Sequence, residues 1–300
     1  MASVLPCRGI GVRVFNILAI IMIANMFFLQ GARLSRRAVV EGVTGWRIHL
    51  AILLCTFVMF PLLGMGLHAA FPRLLDGPMW TGMLFLCCLP STVQSSIAFT
   101  SIARGNVAAA ICSATLSNIL GIFITPVLVG IVFSRHASGG GGGIMPIVGQ
   151  LLVPFIAGQG LQPWIGGWAH RHRKLLSFSD RGSILVVVYT AFSEAVTQGL
   201  WHRLPASQLG RVALADAGLL ALVLGLTLLV GRMGGFARAD RIAIVFCGSK
   251  KSLASGVPIA SVLFAPTEVG LIVLPLMIYH QIQLFACATL ARRFGAEKAD

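Results

Sequence analysis

Lys250 and Lys251 stand side by side in Phe246-Cys247-Gly248-Ser249-Lys250-Lys251-Ser252, inside the otherwise apolar stretch Ile242–Phe264. Ionisable groups in such a stretch are expensive, so they are functional candidates by default. Two adjacent ammonium groups there need water, an anion or a carboxylate. Either could hold an anionic solute or exchange a proton; the alternative is that their long stems carry them to an interface. Ser249 and Ser252 flank them as further polar candidates. Glu194, central in Tyr189–Val196, could pair with a lysine, bind a cation or make a structural bond between helices. His280 lies three residues before Gln283, which puts both on one helix face. It reads either as a proton carrier or as a structural group. A second polar run, Leu89-Pro90-Ser91-Thr92-Val93-Gln94-Ser95-Ser96, offers Gln94, Ser95 and Ser96 to orient a solute or ion. Ser113, Ser117 and Asn118 form a third polar group. Serines often pack helices in membranes, but the Asn118 amide can also coordinate a cation or a polar solute.

Enzyme chemistry finds no footing. The glycines around Gly248 do not form the phosphate loop GxxxxGK[ST]. Adjacency of Ser249 and Lys250 does not make a hydrolase. Six of the seven cysteines fall in apolar stretches, with no zinc-ligand spacing, and read as small buried apolar side chains. No metal or cofactor is expected beyond a coupling ion, Na+ or H+.

The elements that must position these residues are membrane helices. Of 300 residues, 57% are hydrophobic and 11% charged, and the mean hydropathy is +0.89. Typical soluble domains carry roughly 25% charged residues. A bilayer core needs about 20 apolar residues per helix. Nine spans meet that need: Val14–Gly31, His49–Ala70, Trp80–Ala103, Val107–Ser134, Ile144–Trp168, Ser183–Trp201, Val212–Gly231, Ile242–Phe264 and Val269–Leu290. Short loops join them, leaving no room for a sizeable soluble domain. The fold class is all-α and polytopic.

The net charge of +14 would suggest nucleic acid in a soluble protein. Here the basic residues fall mostly in alternate loops. Placing the N-terminus outside puts fifteen of the 23 inside, six outside, and Lys250 and Lys251 in a span. By the positive-inside rule the C-terminus is cytoplasmic. No nucleic-acid partner is expected; the bilayer is the partner.

Two of the spans, the third and the eighth, are interrupted by polar residues, and each is followed by one further span. Residues 139–143 form a Gly-rich linker between a first repeat, 1–138, with four spans and a second repeat, 144–300, with five. The first repeat reads as the second without its opening helix. An odd number of helices per repeat inverts one copy against the other, a pattern of secondary transporters. Unwound backbone in lipid must be buried or line a wet cavity, so the two broken helices are expected to cross near the midplane.

Gly31–Ser35, Leu89–Thr100 and Phe246–Ala254 resemble the SBF-like branch of the bile acid:sodium symporter superfamily, and the resemblance runs from about residue 15 to residue 293. It implies ten helices in two inverted five-helix repeats, with interleaved panel and core subdomains and a solute site between them. It also implies that the family's first, panel helix is absent here, through a start assigned inside the reading frame or a degraded copy. Sodium-coupled members bind sodium at the crossing through a glutamate and amides on the second broken helix. Phe246 stands at that glutamate position, and Lys250 and Lys251 at the amide positions. A lysine ammonium there could stand in for the bound cation.

These observations lead to a secondary transporter of a small organic, anionic solute in the bacterial inner membrane. The other class they leave open is a regulatory membrane protein that affects ion homeostasis without transport.

Overall fold

The computed structural model describes residues 10–33, 45–134, 148–197 and 205–297, and among these every regular element is a helix. We number them α1 (Ile10–Arg33), α2 (Trp46–Ala70), α3 (Gly77–Cys87), α4 (Gln94–Ile102), α5 (Val107–Ser134), α6 (Val153–Arg171), α7 (Arg173–Thr197), α8 (Ala206–Met233), α9 (Arg238–Gly248), α10 (Leu253–Leu263) and α11 (Pro266–Ala296). A π turn, Val148–Leu152, leads into α6. The Gly-rich linker at 139–143 lies outside the described residues.

Six stretches among the described residues are long and apolar enough to cross a bilayer: α1, α2, α5, α8, α9 with α10, and α11. The described parts of the other three expected spans are largely helical, with a physical reason for falling short. α3 and α4 are halves of 11 and 9 residues divided by a break. α6 carries Gln159, Gln162 and Arg171, and α7 carries Arg173, Lys174, Asp180, Arg181 and Glu194. The outer surface is apolar, with Ile17, Leu62, Phe123, Ile131, Leu185, Leu214 and Phe285 all exposed, while Ser91, Ser96, Asp216, Lys250, Lys251 and Gln283 are buried. This arrangement, apolar outward and polar inward, suits lipid. The protein is an integral membrane protein.

The breaks have local causes. Pro90 has no N–H and biases Leu89 away from helix, so α3 stops. α4 starts again at Gln94. α9 ends at Gly248, and Ser252 opens α10 by accepting the Ser255 N–H on its hydroxyl at 3.2 Å. α2 runs through a π turn at Cys55–Met59, just before Pro61.

α1 packs along α6 and α7, and α7 meets α10 and α11. The α1–α6 contact is backbone against backbone. A methyl group on Gly31 would overlap the Phe155 carbonyl, and one on Gly158 the Phe28 carbonyl. Small residues that admit such closeness are how membrane helices gain packing contact.

One end of the bundle gathers the arginines. Arg47 donates to the Gly234 carbonyl at 3.4 Å, and Arg238 donates to the Phe294 carbonyl at 2.6 Å. The Asn106 N–H donates to the Ala239 carbonyl at 2.9 Å. These bonds tie the start of α2, the α4–α5 and α8–α9 turns and the end of α11 into one face, which also carries Arg104, Arg232, Arg241, Arg292 and Arg293. At the opposite end Gln208 bonds Asp76 at 2.5 Å, with Arg73 and Arg211 nearby in the chain.

Candidate functional site

The two breaks meet, and the main-chain groups they free are satisfied almost one by one. In the first break the Cys88 carbonyl accepts from Thr125 Oγ1 at 2.9 Å, the Pro90 carbonyl from the Ser252 N–H at 2.9 Å, and the Ser91 carbonyl from Asn118 Nδ2 at 2.7 Å. The Ser91 N–H donates to Ser117 Oγ at 3.1 Å. In the second break the Phe246 carbonyl accepts from Ser96 Oγ at 3.0 Å, the Cys247 carbonyl from Ser91 Oγ at 2.6 Å, and the Ser249 carbonyl from the Tyr279 hydroxyl at 2.9 Å. Gln283 holds Lys251 by both main-chain groups, accepting its N–H at 3.0 Å and donating to its carbonyl at 2.9 Å. Each break is therefore gripped by polar side chains of the long helix that follows it, α5 for the first and α11 for the second. Buried backbone groups need such partners wherever a helix unwinds in lipid.

Two carbonyls of the first break remain, those of Cys87 and Leu89, and Lys251 takes both. Its Nζ donates to the Cys87 carbonyl at 2.8 Å and to the Leu89 carbonyl at 2.7 Å. A third donation, at 2.8 Å, goes to the Thr56 carbonyl on α2. That oxygen is free for a local reason. In the π turn the Phe60 N–H reaches back to the Cys55 carbonyl, and the next residue, Pro61, has no N–H to offer. An ammonium has three donors and no acceptor, and all three are used. The Phe60 ring lies 4.0 Å below it. Lys251 is wholly buried. A lysine at the centre of a membrane helix costs about 2.5–3.5 kcal/mol on insertion scales. Hydrogen bonds from a charged group are worth about 1.5–3 kcal/mol each, so three of them offset that cost. The sequence asked for water, an anion or a carboxylate; the structure answers with carbonyl oxygens and an aromatic face, the ligands suited to a small cation.

Lys250 is also wholly buried, but its Nζ has no hydrogen-bond acceptor among the described residues. The Phe99 ring lies 3.8 Å from it. A desolvated cation over an aromatic face gains about 2 kcal/mol, which leaves its three donors unused. The Ser249 hydroxyl, next in the chain, is likewise buried with no hydrogen-bond partner within 3.5 Å among the described nitrogen and oxygen groups. The adjacent lysines thus differ: Lys251 is saturated, and Lys250 has binding capacity to spare.

The other predicted residues divide in the same way. Ser96, Ser117, Asn118 and Ser252 are at the crossing. Ser95 is half-buried and bonds Thr92 at 2.7 Å. Gln94 is exposed at the start of α4. Ser113 pairs with His49 at 2.7 Å, tying α5 to α2. His280 Nδ1 accepts from Gln283 Nε2 at 2.8 Å, so it buttresses the side chain that holds Lys251. Glu194 lies on α7, and its side chain is outside the described part of the structure.

A cavity of about 280 Å³ opens elsewhere, between α1, the turn before α6, α7, α10 and α11. Its polar lining is Asn16, Gln150, Thr190 and Ser261, among apolar residues that include Ile20, Ile23 and Val187. Among the described residues its lining carries no charged group and includes none of the site residues named from the sequence.

The comparison with known proteins completes this geometry. The sequence matches the SBF-like CPA transporter family over residues 1–296. The chain belongs to that family. This SBF-like protein is 53% identical to an uncharacterised protein of Pseudomonas aeruginosa, over 100% of the chain and 91% of that relative. It is 49% identical to YfeH of Escherichia coli, whose name describes a symporter, over 98% of the chain and 89% of the relative. Sodium/bile acid cotransporter 7 of Mus musculus is 28% identical, over 90% of the chain and 81% of the relative. The family is one of transporters, and it places the chain outside the enzymes.

For the SBF-like protein, sequence reasoning missed Thr56, Cys87 and Leu89, since a carbonyl ligand leaves no side-chain signal; Pro61 was the available clue to the first. It also missed Tyr279 and Gln283 as holders of the second break, although both adjoin His280 on α11. Asn16, Gln150, Thr190 and Ser261 are isolated polar residues in four different segments, and only the fold brings them together.

Proposed function

We propose that this SBF-like protein is a secondary active transporter of a small organic solute, in which Lys251 supplies from within the chain the cation that the helix crossing requires. The observation that supports this is the Lys251 ammonium on three main-chain carbonyls. A sodium ion could not take those oxygens while the ammonium holds them, so the coupling ion is the proton. Lys250, buried without an acceptor, is the group free to exchange one or to meet an anionic solute. The cavity between α1 and α7 on one side and α10 and α11 on the other is the place for the solute's carbon skeleton. Its size is just below the usual 300–1,000 Å³ of small-molecule sites, and its described lining, apolar with four uncharged polar groups, suits such a skeleton. Two inverted repeats, with α1, α6 and α7 as the panel, would give the alternating access that transport needs.

The arginine-rich end, with the C-terminus, faces the cytosol of a bacterial inner membrane. A green fluorescent protein fused after Asp300 is expected to fluoresce, and an alkaline phosphatase fusion there to be inactive; the reverse pattern refutes the orientation.

The functional test is uptake into vesicles with the reconstituted protein, using radiolabelled taurocholate and small monocarboxylates under separate sodium and proton gradients. Uptake is expected under the proton gradient, without gain from sodium. It should be lost in Lys250→Ala, in Lys251→Ala and in Ser261→Phe, which fills the cavity. Sodium-driven uptake, or unchanged uptake in both lysine variants, contradicts the proposal. One observation favours the second reading, a regulatory protein without transport: the crossing is closed, with Lys251 saturated and buried. Retained biological activity in Ser261→Phe, with no uptake by the unaltered protein, would establish that reading.

A further inference from the structure

A second cavity, of about 120 Å³, lies at the arginine-rich end, where α8 ends, α9 begins and α11 ends. Arg232, Arg238 and Arg241 line it over an apolar floor of Leu228, Ile242, Val245 and Phe294. Among the described residues one acid, Glu297, lines it with them. Glu297 Oε2 lies 3.5 Å from Arg238, a long pair whose glutamate side chain is 61% exposed. Asp240, in the first turn of α9, is engaged elsewhere, since Asn106 Nδ2 donates to its carboxylate at 2.8 Å. Among the described residues Arg232 and Arg241 have no carboxylate partner. Three arginines thus line a small cavity with one carboxylate among the described residues.

We propose that this cavity binds a phosphate group, with the Glu297 carboxylate as a weak occupant that it displaces. Guanidinium forks match phosphate oxygens two at a time, and such bonds are the strong ones. The start of α9 adds its partial positive charge on the same side. The apolar floor, at the end of a membrane bundle, suits the glycerol backbone of an anionic phospholipid, and basic pockets between membrane helices bind such headgroups. A free phosphate or soluble phosphoester would offer the same oxygens without using the floor. The site is independent of the solute cavity and of Lys250, so its failure and that of the transport reading are distinguishable.

The test uses the full-length purified protein in a neutral detergent. Retained lipids are counted by native mass spectrometry with phosphatidylglycerol against phosphatidylcholine, and again with added inorganic phosphate. Phosphatidylglycerol is expected to be preferred, and Arg241→Gln should weaken that preference about tenfold, as loss of charge-assisted bonds would. Glu297→Gln should strengthen it, and Arg73→Gln, at the other end, should leave it unchanged. Arg238 also holds the Phe294 carbonyl, so Arg241 and Glu297 carry the test. If inorganic phosphate binds and no lipid preference exists, with the same response to Arg241→Gln, the source is a soluble phosphate and the site stands. No preference for phosphatidylglycerol and no phosphate binding overturns the proposal. So does a preference that Arg241→Gln leaves intact.

Discussion

The Lys251 ammonium lies 2.8 Å from the Thr56 carbonyl, an oxygen in a π turn left free because Pro61, just past that turn, stands five residues on without an N–H. A proline on one helix and a lysine in the break of another therefore form a single feature. The helix irregularity exposes an acceptor at the depth where the charge is buried. The Cys87 and Leu89 carbonyls, exposed by Pro90, complete the set.

The two lysines should respond oppositely to removal of charge. Lys251→Met strands three buried carbonyls and is expected to destabilise by about 3–5 kcal/mol, the usual scale for breaking a buried charge arrangement from one side. Lys250→Met removes an ammonium with no acceptor and should leave stability unchanged or raise it by about 1 kcal/mol. Thermal unfolding of the purified variants in one detergent compares them. Equal losses would mean that the carbonyl set is not what accommodates Lys251.

Gln283 supports Lys251 without touching its ammonium. Gln283→Leu leaves the Lys251 N–H and carbonyl unpaired, at about 1–3 kcal/mol each. Gln283→Glu retains the acceptor for the N–H and should cost less. The same unfolding measurement should rank the unaltered protein, Gln283→Glu and Gln283→Leu in that order. A Gln283→Leu protein as stable as its parent would remove Gln283 from the account.

Close approach of α1 and α6 rests on Gly31 and Gly158. Gly31→Leu or Gly158→Leu would force the two backbones apart, and size-exclusion chromatography should show loss of monodisperse protein. Gly160→Ala, which would meet no atom within 4 Å, should elute as the unaltered chain does. If Gly158→Leu behaves like Gly160→Ala, the helices are not in backbone contact.

Much of this was legible in the sequence, and the residues show where legibility stopped. Pro90 with its polar run, and Gly248-Ser249-Lys250-Lys251-Ser252, marked both breaks because polar side chains are conspicuous among apolar ones. The same runs gave Ser96 and both lysines as site candidates, and a third polar group gave Asn118; the structure places all four at the crossing. The different roles of Lys250 and Lys251 were not legible, because main-chain oxygens of Thr56, Cys87 and Leu89 decide them. Those oxygens are common to every residue type, and only the path of α2 and α3 makes three of them converge. The 280 Å³ cavity was hidden for a related reason: Asn16, Gln150, Thr190 and Ser261 are scattered along the chain and meet through helix crossings. The positive-inside count anticipated one arginine-rich end, but not that three of those arginines share a cavity. Asp216 stands near the start of the span Val212–Gly231, where its position does not mark it, yet it is wholly buried and both carboxylate oxygens lack a hydrogen-bond partner among the described residues.

The central claim is that an internal ammonium fills the cation position at the crossing. It is tested most directly by following the thermal unfolding of the purified protein as sodium chloride replaces choline chloride at constant ionic strength. A cation that binds only the folded state raises the unfolding temperature in a saturable way. The unaltered protein is predicted to show no sodium-specific rise, whereas Lys251→Ala, with its carbonyls vacated, should gain one. A saturable rise in the unaltered protein that Lys251→Ala abolishes would contradict the account.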